Sequence, residues 1–315
     1  YMITSFFKTS KPIHYIIFII VLTFVFSYQR IIEGNQAINL GNSAKEVGYL
    51  FVVLASFITL VFIVTKNNLT HKNSFAALYF CLFIGLIPSS LEVNSILISN
   101  LFVVFSLRRI ISLRTKTNIK KKLFDASMWI CLAATFEPWA ILFFGLLFMG
   151  ILFYSVAQIK NILIPFLGVL TVVTVLSCFQ LLTEGVFPSY AEYLPVFSFE
   201  TFNFNSVFTQ GAFLLFLAII LVASFTYVIK GVLQNRINNP NFLVLILAVF
   251  LGIAIMFLSA HMHLGGYLFA VAPSAIIVAN FSETTKYRWL SELVIGLLLL
   301  AVALQFGFNI SSLVN

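Results

Sequence analysis

Charge is the first thing this chain lacks. Only 9% of its 315 residues are charged, with 10 Asp plus Glu against 18 Lys plus Arg. Soluble domains carry about 25% charged residues, so a water-facing globule cannot be covered with what is here. Cysteine is scarce as well. Cys81, Cys131 and Cys178 each stand inside an apolar run, where they read as small buried hydrophobes rather than as a disulfide framework or a metal site. Signature motifs are missing too: there is no Walker sequence, no GxGxxG after a strand, no HExxH, no GxSxG and no CxxC. The pI near 9.4 would suit a nucleic-acid binder. Nothing, however, interleaves aromatic with basic residues as a single-strand-binding surface does.

What the chain has is apolar bulk: 61% hydrophobic residues, 37 of them Phe, and a mean hydropathy of +1.06. That excludes disorder and makes the chain an integral membrane protein. A helix needs roughly 20 apolar residues to cross a bilayer. Candidate spans are Ile13–Gln29, Val47–Thr65, Ser74–Ile87, Ile96–Leu113, Phe124–Phe136, Trp139–Val156, Ile162–Leu182, Ala212–Leu233, Phe242–Ser259, Leu264–Asn280 and Trp289–Phe308. The expectation is an all-α, polytopic transmembrane helical bundle of about 11 spans in a bacterial inner membrane. Residues 1–315 form one integral membrane domain, with residues 183–211 as an aromatic-rich loop on the outer side. Lys8 and Lys11 ahead of an apolar run resemble a signal sequence. No small-residue cleavage site follows, so an uncleaved first helix is expected.

Orientation follows from the basic residues, which cytoplasmic loops retain. With the N-terminus cytoplasmic, all of the 18 Lys and Arg fall inside except Arg30 and Lys45, and the cluster from Arg108 to Lys122 is the densest group. Such a cluster reads first as a topogenic loop that touches lipid headgroups. Acids lean outward: Asp125, Glu283 and Glu292 alone lie inside. The stretch from Phe124 to Val156 tests this scheme. As one helix it would run about 50 Å, well beyond the roughly 30 Å hydrocarbon core, and it would turn the downstream basic residues outward. A helical hairpin turning at Glu137-Pro138-Trp139 is expected instead, since proline breaks helices.

Few residues are equipped for chemistry. Glu33 and Glu46 lie in the first outer loop, where a carboxylate would serve as general base toward an acceptor arriving from outside. The plainer reading is a loop acid beside Arg30 or Lys45. Glu137, at the outer turn of the hairpin within reach of water, is the next candidate. His261 and His263 stand in the outer turn before Leu264-Gly265-Gly266. With no further His or Cys near in sequence they suit a phosphate or a carboxylate better than a metal.

The opening Met2-Ile3-Thr4-Ser5-Phe6-Phe7-Lys8-Thr9-Ser10-Lys11-Pro12, the Asn100-Leu101-Phe102 and Leu107-Arg108-Arg109-Ile110 segments, and Lys120-Lys121-Lys122-Leu123-Phe124-Asp125-Ala126 resemble a family of uncharacterised multi-pass inner-membrane proteins of Bacteroidota. That resemblance runs the length of the chain and implies no activity. A weaker, topological resemblance is to the GT-C class of polyprenyl-phosphate-sugar glycosyltransferases, which carry acids in the first outer loop. It implies Glu33 or Glu46 as the base, with Arg30, Glu137, His261 and His263 toward the lipid phosphate. This chain departs from that class in its short first outer loop, which has no paired-acid signature, and in having no soluble C-terminal domain.

Three readings result. The first is a transferase or polymerase acting on polyprenyl-linked sugars at the outer face, in a groove where those residues converge. The second is a non-catalytic subunit of an inner-membrane envelope or secretion complex, with a membrane-protein partner. The third is a transporter or flippase, disfavoured because the spans hold almost no ionisable residue to couple an ion. Membrane lipids, polyprenyl phosphate among them, are the expected partners, nucleic acid is not, and no cofactor is implied.

Overall fold

A computed structural model describes residues 2–33, 40–187, 189, 193–196, 206–233, 240–259, 264–285 and 288–314. Twelve α-helices run through them: α1 Met2–Phe7, α2 Pro12–Ser27, α3 Leu40–Asn67, α4 Phe75–Leu86, α5 Asn94–Ser112, α6 Ile119–Phe136, α7 Phe143–Phe153, α8 Ile159–Glu184, α9 Val207–Leu233, α10 Pro240–Leu258, α11 Leu268–Thr284 and α12 Arg288–Val314. No strand occurs among the described residues. In lipid every backbone N–H and C=O must be satisfied internally, and long apolar runs achieve this as helices. Among the described residues eight helices are long and apolar enough to cross a membrane: α2, α3, α5, α8, α9, α10, α11 with the turn before it, and α12. The chain is built for a membrane.

Cross-links between helix ends define two ends of the bundle. At one, Gln29 Nε2 donates to Glu92 Oε1 at 2.9 Å, and Arg30 bonds Asn94. Ser99 Oγ donates to Ala133 O at 2.9 Å, which brings the last turn of α6 to this Arg30 end. At the other end, Lys122 Nζ donates to Ser112 O at 2.6 Å and Arg114 reaches Asn67 O at 3.4 Å. Glu283 joins residues 71–73 there.

Three passages are interrupted near the Arg30 end. Helix α4 is 12 residues, about 18 Å at 1.5 Å per residue, and a 3-10 turn over Pro88–Leu91 extends it. Helix α6 stops at Phe136. Glu137 is extended (φ −136°, ψ 104°), and Pro138 opens a 3-10 turn to Leu142 before α7. The chain does reverse at Glu137–Trp139, because Gly150 of α7 meets Ile110 near the far end of α5. Beyond α7 the Tyr154 hydroxyl donates to Asn241 Oδ1 at 2.6 Å. The third interruption is the 3-10 turn Leu264–Tyr267 ahead of α11. A Cβ on Gly265 would lie 2.8 Å from Ile96 Cδ1, and one on Gly266 would lie 2.8 Å from Met256 Cα, so this turn threads a gap that only glycine fits.

The centre of the bundle is α4 and α11. All 12 residues of α4 are buried, and 94% of the most apolar window of Leu264–Thr284 is inside the protein. Small residues let α11 be surrounded: Ala270, Ala272, Ser274, Ala275 and Ala279 are all buried. Helix α10 crosses at Gly252, where an added Cβ would stand 2.6 Å from Ala270 N. Small residues commonly carry such close crossings in membranes. At the periphery only 17% of the best window of α8 is buried. Leu163, Phe166, Leu167, Leu170, Val175 and Phe179 face outward, which is the surface that lipid tails accept.

Several helices start earlier than the apolar runs suggest, α6 at Ile119 rather than Phe124 among them. Helix α3 begins at Leu40 rather than Val47, so Glu46 is a helical residue and not part of a loop. Helices α8 and α9 end and begin at Glu184 and Val207, trimming the expected 183–211 loop at both ends. Much of that loop lies outside the described residues.

Candidate functional site

The polar group at the Arg30 end is assembled from three segments. After α2 the helix widens into a π-helical turn, Tyr28–Glu33, which carries Gln29 and Arg30 inward. Both are buried, at 2% and 6% exposure. Arg30 Nε lies 3.6 Å from Glu46 Oε2 on α3. Its guanidinium bonds Asn94 Oδ1 at the start of α5, and stacks 5.5 and 5.6 Å from the rings of Phe26 and Tyr49. Gln29 is held by Glu92. A buried charge is tolerated where it is paired and its donors are met. Here that is only partly so. Arg30 Nε, Glu46 Oε2 and Gln29 Oε1 are buried without a hydrogen-bond partner, since 3.6 Å is an ion pair and not a hydrogen bond.

Of the residues singled out in the sequence, Arg30 and Glu46 come together as partners. A base and an anion-binding cation that pair with one another each blunt the other's chemistry. Glu137 does not sit in water at a turn. It is buried at 9% exposure and accepts a bond from Ser259 Oγ at 3.3 Å. The cause is local: α6 ends one residue earlier, and Trp139, itself buried, follows, its indole donating to Val196 O at 3.2 Å. Glu33 closes the π-helical turn, and its side chain lies outside what is described. His261 and His263 also lie outside the described residues.

The opposite end holds a feature with no sequence signature. A cavity of about 450 Å³ opens between α1, residues 71–75, the end of α11 and the start of α12. Ser5, Lys8, His71, Asn73, Glu283 and Ser291 are among its lining residues. Glu283 accepts one bond on each oxygen, from Asn73 Nδ2 at 2.5 Å and from the His71 backbone N–H at 3.0 Å. Helix α1 is fastened over the cavity by Thr4 Oγ1, which donates to Glu292 Oε1 at 2.9 Å, and by the Ser74 N–H, which donates to Phe7 O at 3.1 Å. Of the three acids expected among the basic residues, Glu283 lines this cavity and Glu292 holds Thr4 at its border. The third, Asp125, pairs with Arg109 at 2.7 Å.

Arg108 of the basic cluster is packed on an aromatic ring. Arg108 lies 4.3 Å over the Phe62 ring, and Lys66 approaches the same ring at 5.3 Å. Such contacts anchor long cationic side chains at a membrane boundary. Among the described residues no three His, Cys, Asp or Glu come together in a way that would hold a metal.

No curated protein and no solved structure matches the chain. One family model does, over residues 7–314. Since that is nearly the whole length, the chain belongs to this family, DUF6427, a family of unknown function.

Proposed function

We propose that this chain crosses a bacterial cytoplasmic membrane eleven times, with its N-terminus on the cytoplasmic side, and that its outer end binds the anionic head of a polyprenyl-linked sugar for transfer or polymerisation. Eleven passages arise when α4, α6 and the segment Pro138–Phe153 cross alongside the eight long helices. The Lys8 end then carries the Arg108–Lys122 cluster, as the distribution of basic residues in membrane proteins requires.

The observation that carries the functional reading is Arg30. A guanidinium held at 6% exposure in a membrane protein is costly, and such residues are functional by default. Its Nε donor has no acceptor, so a phosphate oxygen would supply one, and guanidinium is suited to that bidentate geometry. Because Glu46 is already paired with Arg30, the base in this reading is Glu33. His261, His263 and Glu137 remain proposed neighbours of the lipid phosphate. The topological resemblance to GT-C enzymes supports the same assignment.

A second reading, a non-catalytic subunit of an envelope complex, is favoured by that same Arg30–Glu46 pair, which makes the group self-neutralising. Native mass spectrometry of the protein extracted gently from its own membrane separates the two. A bound polyprenyl phosphate or its glycosylated form, lost in Arg30→Gln and Glu33→Ala, is the result expected of the transferase. A stoichiometric protein partner without such a lipid would overturn it in favour of the subunit.

A further inference from the structure

The cavity at the Lys8 end is well within the roughly 300–1,000 Å³ of small-molecule sites, yet nothing in the transferase reading uses it. Its lining argues against a ligand of either charge. An anion would face the Glu283 carboxylate. A cation would face Lys8, which lines the same space beside His71. A ligand that both donates and accepts hydrogen bonds without net charge meets neither obstacle.

The fixed groups fit such a ligand. Each Glu283 oxygen has one protein donor, while a carboxylate accepts about four bonds in all. Two lone-pair directions therefore remain for ligand hydroxyls. The Asn73 amide and the His71 backbone hold that carboxylate in place, so its orientation is set before a ligand arrives. Ser5 adds a hydroxyl that can donate and accept, the Thr285 hydroxyl, which donates to Phe281 O, can accept, and Phe75 supplies an apolar wall. Fixed carboxylate and amide groups, flexible hydroxyls and one aromatic ring together match a polyhydroxyl compound.

We propose that this cavity, formed by α1, residues 71–75 and the α11–α12 junction, binds a hydroxyl-rich ligand of the sugar or polyol class, with Glu283 as its principal acceptor. The ligand's source is either a free sugar or the headgroup of a glycosylated lipid, since α1 borders the cavity and exposes Phe6 beside it. The site is separate from the Arg30 group and does not depend on the transferase reading.

The test uses the full chain in phosphatidylcholine nanodiscs. Saturation-transfer NMR is recorded with glucose, myo-inositol, methyl phosphate and ethanolamine, and empty nanodiscs serve as the blank. Native mass spectrometry of the extracted protein reports any retained glycolipid. Signal from glucose or inositol indicates a free ligand and a retained glycolipid indicates a headgroup; either supports the proposal. Both should fall at least tenfold in Glu283→Gln and in Ser5→Trp, the latter filling the space from a residue that is itself exposed. Unchanged binding in Ser5→Trp would overturn the proposal. So would a preference for methyl phosphate or ethanolamine, or the absence of both sugar signal and glycolipid.

Discussion

Replacing Gly252 by alanine adds one methyl group at the tightest helix crossing beside the centre. The new Cβ would stand 2.6 Å from Ala270 N, 2.7 Å from Phe269 C and 2.8 Å from Ala270 Cα. All three are backbone atoms, so no side chain can swing aside. Comfortable carbon contacts begin near 3.5 Å, and α10 and α11 would have to part by about 1 Å. Helix α11 is enclosed on the far side by α4, whose residues are all buried, and it has nowhere to retreat. Overpacking of this kind costs about 1–3 kcal/mol, and the backbone contacts place Gly252→Ala at the upper end. The matched control is Gly48→Ala in α3, where a Cβ meets nothing within 4 Å; there the change should be neutral or should stabilise by up to ~1 kcal/mol through helix propensity. Thermal unfolding of the two purified variants in detergent, followed by far-UV circular dichroism, gives the comparison. Gly252→Ala should melt several degrees below wild type. Equal melting temperatures for the two variants would refute the α10–α11 packing described above.

Further outcomes follow from the polar contacts. Glu46→Gln should destabilise the protein by about 1–3 kcal/mol, because it leaves the Arg30 guanidinium without its carboxylate. Adding Arg30→Met should recover part of that loss, and strictly additive losses in a double-mutant cycle would contradict the pairing. Tyr154→Phe should cost about 1–3 kcal/mol by leaving the buried Asn241 amide without its donor, read from the same melts; a cost below 0.5 kcal/mol would count against that bond. Cysteine placed at Lys45 should react with a membrane-impermeant maleimide in intact cells. Cysteine at Lys116 should react only after permeabilisation, and the reverse pattern would invert the proposed orientation.

The eight long apolar helices were legible because apolar runs reveal where a helix can meet hydrocarbon, but helix ends were not. Helix α3 starts at Leu40 because Ala44, Lys45 and Glu46 are good helix formers although they are not all apolar; hydropathy stops at Val47 for that reason. The central place of α4 was readable in principle, since a helix apolar on every face is a buried one. The break at Glu137-Pro138 was readable from proline chemistry and length alone. Partnerships were only partly readable. Arg30 beside Glu46 was the plainer reading of the first outer loop, whereas the partner of Glu137, Ser259, is 122 residues away in the chain. The cavity at the Lys8 end unites Asn73 with Glu283, 210 residues apart. The one hint was that Glu283 and Glu292 are acids among basic residues.

The enclosed position of α11 has a consequence for biosynthesis. Helix α4 leaves the ribosome early, whereas α11, the helix that covers it, is among the last segments made. Proteins fold from the N-terminus as they are synthesised, so α4 is made long before α11, which packs against it, exists. At 12 residues it is also too short to span the bilayer unaided. During most of translation the nascent chain is therefore an unfinished shell around a vacant axis, dependent on the insertion machinery or on α2 and α3 to hold α4 in place. Truncation before Leu268 should leave a product marked for degradation rather than a smaller stable bundle.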